Sequence, residues 1–103
     1  MFGTGIYRRG NQPGTLTAEW LDDRMVAAGT KAGTGFAKNG PANGFVGDYD
    51  ITYVSGEQHV DLKLTIRAEG PNFRLAWYKN DTLIDQGIAF QSGDILILSY
   101  QSI

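Results

Sequence analysis

Four aromatic side chains with a polar handle, Trp20, Tyr49, Tyr53 and Trp77, and one amide, Gln86, are the residues of this chain best suited to meet a ligand. Each ring offers a large apolar surface and one directed hydrogen bond, the combination that small-molecule pockets use. The same rings can instead fill a core, and both readings stand at this level. Gln86 shares a strand face with Ile84, Ile88 and Phe90 if that strand is regular, so its amide is either satisfied by a neighbouring hydroxyl or points into a cavity. Stronger chemistry has few candidates. Asp48 and Asp50 alternate with Tyr49 and Ile51, which places both carboxylates on the solvent side of a strand rather than across an enclosed cleft as an acid pair. His59 is the only histidine and lies in a polar stretch that reads as a loop, and there is no cysteine, so neither thiolate chemistry nor a His/Cys metal site is expected. Gly3-Thr4-Gly5 lacks the flanking strand and helix of a phosphate-binding loop, and no Gly-x-Ser-x-Gly elbow occurs. No catalytic residue, metal ligand or cofactor is assigned.

Positioning those side chains falls to 103 residues, among them 14 glycines, 9 basic and 11 acidic residues. That length carries one hydrophobic core, so residues 1–103 read as a single domain. The charges are scattered, with a net of −2, and give no basic stripe for phosphates or an anionic surface. No run approaches the roughly 18 apolar residues of a spanning helix. Neither nucleic acid nor membrane is expected as a partner. No signal peptide is visible, and a soluble, cytoplasmic protein is the expectation.

Val60, Leu62, Leu64, Ile66 and Ala68 alternate without a break with Asp61, Lys63, Thr65 and Arg67, the pattern of a half-buried strand over 60–68. Turn residues at 69–72, 80–81 and 91–94 separate it from strands over 73–78, 83–90 and 95–100, an antiparallel meander. Upstream, 5–8, 15–20, 33–37 and 45–54 read as four more strands, with Gly47 and Gly87 as bends or bulges where a barrel sheet turns. Residues 39–44 read as an exposed loop. Residues 22–28 form either one helical turn, capped by an Asp and ending at Gly29, or a wide hairpin. Eight mostly sequential antiparallel strands leave two open edges unless the sheet closes. The expected fold is therefore all-β, an up-and-down barrel of about eight strands, with a two-sheet β-sandwich as the alternative.

The run 45–53 with its Gly47-x-Tyr49 spacing, the alternating strand after it, Phe73-Arg74-Leu75-Ala76-Trp77, Gln86-Gly87-Ile88-Ala89-Phe90 and Gly93-Asp94-Ile95-Leu96 together resemble the small calycin-type barrels. These are lipocalin-like and avidin-like bacterial proteins in which a Gly-x-Tyr strand opens a meander and a tryptophan sits in mid-strand. The resemblance covers about half the chain. Lipocalins begin with Gly-x-Trp, whereas Gly5-Ile6-Tyr7 stands in that place, and the biotin-binding residues of avidins do not map onto this chain. What the resemblance implies is a cup for a small apolar molecule, or a barrel used as an interaction platform.

Residues 95–100 are apolar on both faces, Ile95 and Ile97 on one, Leu96, Leu98 and Tyr100 on the other. Only one face can line a barrel, and no helix is long enough to cover the second. Leu96, Leu98 and Tyr100 are assigned to a self-association face, extended by Val46, Val54 and Tyr78, in a two-fold homodimer. Three functions fit these readings. The first is a non-catalytic barrel holding a small apolar or aromatic ligand through Tyr49, Tyr53, Trp77, Trp20 and Gln86. The second is an oligomeric interaction or regulatory module with a filled barrel. The third is a cyclase- or isomerase-type enzyme working by shape and hydrogen bonds from Tyr49, Tyr53 or Gln86. An interior void of roughly 300 Å³ favours the first, and a solid core removes it.

Overall fold

Alternation along each strand puts every second side chain on one face of a wall, and pairing decides which face is the inside. In the computed structural model, which describes all of Met1–Ile103, the strands are β1 (Phe2–Arg9), β2 (Leu16–Asp22), β3 (Gly33–Lys38), β4 (Gly47–Ser55), β5 (Gln58–Glu69), β6 (Asn72–Lys79), β7 (Thr82–Ser92) and β8 (Ile95–Ser102). Each pairs antiparallel with the next, and β8 returns to β1 with Ile97 opposite Ile6. The sheet is a closed up-and-down barrel, which removes the sandwich alternative and leaves no edge strand exposed. His59 lies exposed as the second residue of β5, paired with Val54, rather than in a loop.

Residues 22–28 resolve as the short helix α1 (Asp23–Ala28). Asp22 Oδ1 accepts from the Met25 amide at 2.8 Å, a side-chain cap on an otherwise orphan donor. Gly29 closes the helix in the left-handed region at φ 71°, and the Thr30 amide returns to the Met25 carbonyl. Those two caps decide against the hairpin.

One end of the barrel is packed solid. Leu16, Ile51, Leu64, Ile66 and Leu96 are all buried there. The stretch 39–44, expected to be an exposed loop, and Phe45-Val46, expected to open a strand that begins only at Gly47, fold over this end: Phe45 is buried, the Tyr49 hydroxyl donates to the Phe45 carbonyl at 2.8 Å, and Arg9 donates to the carbonyls of Ala42 and Gly44. A second correction concerns β7. Tyr78 pairs with Leu83 but Trp77 pairs with Asp85, so Ile84 is the extra residue of a bulge. Gly87 continues the regular ladder instead, opposite Tyr100 and Leu75.

The register also overturns the proposed interface. Leu96 pairs with Tyr7 and Leu98 with Gly5, and both leucines are buried inside the barrel, with Tyr100 half-buried on the same inner face. The outward residues of β8 are Ile95, Ile97 and Ser99. Val54 stands on β4, with three strands between it and β8 in either direction round the wall, and cannot extend its surface. Asp48 and Asp50 do face outward, paired with Arg67 and Lys63 across β4 and β5, and Glu69 pairs with Arg74. The three pairs lie exposed on the outer side of that arc of the wall. No helix is long and apolar enough to cross a membrane.

Candidate functional site

At the end of the barrel that carries α1 and both termini, the inner face changes from large aliphatic residues to glycine and aromatic rings. Gly3, Gly33 and Gly87 leave room for rings that a methyl group there would strike. A Cβ on Gly33 would lie 2.6 Å from the Trp20 indole, one on Gly3 2.4 Å from the Tyr100 hydroxyl, and one on Gly87 3.2 Å from the Trp77 ring. Trp20 meets Tyr53 edge-on at 5.6 Å between centroids and anchors its Nε1 on the Thr34 carbonyl at 2.9 Å. Trp77 and Tyr100 form a second pair, also at 5.6 Å, tilted by 54°. The rings do not close the space. They line a cavity of about 190 Å³, together with Leu62, Ile84, Asp22 and Asp85. The barrel is thus half filled and half hollow, with a void smaller than the roughly 300 Å³ at which drug-sized pockets begin.

A hydrogen-bonded trio forms part of the cavity wall. The Tyr53 hydroxyl accepts from Trp77 Nε1 at 2.7 Å and lies 2.5 Å from the Tyr7 hydroxyl. Tyr7 is buried and its hydroxyl has only Tyr53 as a hydrogen-bond partner, so its proton must go there if it is to be satisfied. Given that direction Tyr53 accepts twice and its own proton is left for an acceptor inside the cavity; given the reverse direction the proton left over is that of Tyr7, which lines the same cavity. Burial pushes the phenols of Tyr7, Tyr53 and Tyr100 well above the usual tyrosine range. At neutral pH all three are donors and none is a base.

Two carboxylates face the same space. Asp22 continues the inner alternation of β2, two residues beyond Trp20, and is buried. Asp85 faces inward because the bulge at Ile84 shifts the parity of β7. Burial raises its carboxyl above the usual carboxylate range, an effect only partly offset by a hydrogen bond with Ser102 and by the positive charges of the Met1 ammonium and Arg24.

Of the five residues expected to bind a ligand, Trp20, Tyr53 and Trp77 come together at the cavity. Tyr49 does not: it packs in the filled end and donates to Phe45. Gln86 does not either, since the bulge turns it outward with Ile88 and Phe90, where it is exposed. Tyr100, Asp22 and Asp85 were missed. Asp22 shares its parity with Leu16, Ala18 and Trp20, so the alternation of β2 carried its signal, whereas β8 is apolar on both faces and its alternation left the side of Tyr100 open. Nothing in the sequence marked the bulge that carries Asp85 inward. In comparisons with protein-family models, with curated proteins and with solved structures, nothing matches this chain.

Proposed function

We propose that this chain is a non-catalytic, calycin-like binding barrel that takes one small molecule with an apolar or aromatic body into its open end. The observation that carries this reading is the 190 Å³ cavity, ringed by Trp20, Tyr53, Trp77 and Tyr100, with the hydrogen-bonded hydroxyls of Tyr7 and Tyr53 in its wall. A cavity of about 150 Å³ lined by apolar side chains takes a benzene, so this one suits a ligand of one ring or an equivalent branched group. An enzyme of the isomerase type is less well supported, because two of the three residues expected to serve it, Tyr49 and Gln86, lie away from the cavity. Both tryptophans of the chain stand at the cavity, so intrinsic fluorescence reports on it directly. Titration with a panel of single-ring and branched small molecules should change that fluorescence saturably. Trp77→Ala should abolish the response while the variant still melts cooperatively. A panel without a single saturable response would remove the reading, and native mass spectrometry of protein from its own host would show whether a small molecule is retained.

A second reading rests on a different surface. Ile88 and Phe90 are 58% and 53% exposed, and Phe90 pairs with Ile97, which pairs with Ile6. This outward apolar stripe across β7, β8 and β1 supports self-association of two barrels side by side, through residues other than those first assigned.

A further inference from the structure

An apolar ligand has no use for two carboxylates in its cup. Asp22 gives Oδ1 to the Met25 amide, and its Oδ2 has only the Arg24 guanidinium, at 3.9 Å and on a side chain 74% exposed. Asp85 reaches the cavity only through the extra residue in β7, and bulges commonly re-aim a side chain beside a functional site. The charged and titratable groups that act on Asp85 are the Met1 ammonium and Arg24 on one side and the Tyr53 phenol on the other, with Ser102 as its hydrogen-bond partner. Tyr100, across the cavity, feels both Asp85 and Asp22. Burial outweighs the positive neighbours, so the chain's own cations leave this carboxylate under-compensated. A carboxylate turned inward and only partly in water adds nothing to the packing of a barrel. Such a residue is the kind that function retains. Around it stand four aromatic rings, whose quadrupoles attract cations, and ammonium ions are the usual guests of such cages.

We infer that the cavity takes a small organic ammonium ion, seated among Trp20, Tyr53, Trp77 and Tyr100 with Asp85 and Asp22 as counter-charges. This rests on the reading of the barrel mouth as a ligand cup and narrows it to a chemical class. At about 190 Å³ the cavity has room for a quaternary ammonium head and a short arm, whose acceptor atom can meet a hydroxyl of the Tyr7–Tyr53 pair.

The test compares two probes of one shape on the full chain at neutral pH. One is choline, and the other is its neutral isostere with a quaternary carbon in place of the nitrogen. Phenol and toluene are titrated alongside by fluorescence and calorimetry. Choline should bind roughly tenfold or more tightly than the isostere, the range of a desolvated cation–π contact. Asp85→Asn should narrow that preference, read as the ratio of the two affinities in the variant against the same ratio in the native chain. Equal binding of the two probes, or binding of phenol and toluene alone, overturns the ammonium inference and leaves the ligand cup standing. Binding of none of the four overturns both. The comparison between probes is made on the unmodified chain, so it decides even if a variant fails to fold.

Discussion

Tyr53 is the residue on which most of the open end depends, because one oxygen satisfies two buried donors. Removing it as Tyr53→Phe strands both Trp77 Nε1 and the Tyr7 hydroxyl, at about 1–3 kcal/mol for each donor left unpaired. Tyr7→Phe removes a donor and leaves the Trp77 bond to Tyr53 in place, so it should cost only about 1 kcal/mol. Urea unfolding of the two variants checks the order, and an equal loss in both would show that Tyr7 does not give its proton to Tyr53. Asp85 sets a pH dependence of the opposite kind. Its folded-state carboxyl is raised, so the folded chain holds the proton more tightly than the unfolded chain does. The stabilisation from protonation is full below the ordinary carboxylate range and is lost as pH rises through the raised value. Asp85→Asn is therefore expected to stabilise the chain near neutrality, by about 0.5 kcal/mol or less since the carboxyl is still partly in water, and to bring no gain in acid. Asp50 runs the other way. Hydrogen bonds from Lys63 and Asn39 lower its carboxyl, so its contribution is present above the ordinary carboxylate range and fades as pH falls through the lowered value. Midpoints of urea unfolding across pH in the native chain and in Asp85→Asn separate the two carboxyls.

At the scale of the elements, the glycines of β1, β3 and β7 act as floor space for rings. Gly33→Ala would set a methyl 2.6 Å from the Trp20 indole and equally close to the Val54 carbonyl, which is backbone and cannot step aside. Overpacking of that kind costs about 1–3 kcal/mol and should move Trp20, visible as a shifted emission maximum. Gly56→Ala is the contrast, with open space around it and a positive φ of 60°, so about 1 kcal/mol of backbone strain is expected with no spectral change. Alternation along the chain made every strand legible, from the unbroken 60–68 run of β5 to the short Gly33–Lys38 segment of β3. It could not show which face of β8 turns inward, because both faces are apolar and only the pairing of Leu96 with Tyr7 decides it. It also failed beyond Ile84. A bulge adds one residue without a compositional mark, and from there Gln86 and Asp85 exchange faces. The candidate site was therefore readable up to Trp20, Tyr53 and Trp77 and lost where parity was lost. Gly87 is not the bulge, and a side chain there would strike the Ser99 carbonyl at 2.4 Å before it met the Trp77 ring.

The molecule as a whole divides its labour between two ends and two sides. The end under Phe45 is packed and carries stability, while the end beside α1 is open and carries the rings and carboxylates. Around the wall, the β4–β6 arc is held by ion pairs exposed to water, worth little individually, and the opposite arc presents Ile6, Ile88, Phe90, Ile95 and Ile97. All five point away from the interior, so changing them alters the surface and leaves the core intact. Two copies related by a two-fold axis would lay this stripe on itself, and Phe90, the largest side chain in it, is the natural centre of such a contact. Sedimentation at micromolar concentration should then report a species of twice 11.2 kDa for the native chain. Phe90→Glu should return the monomer, because a buried like-charge pair at the two-fold contact is strongly disfavoured, and its melting midpoint should fall only by what the interface itself contributed. A native chain that sediments as a monomer at those concentrations would remove self-association and leave the stripe as ordinary exposed surface. A dimer that persists in Phe90→Glu would place the contact elsewhere on the wall.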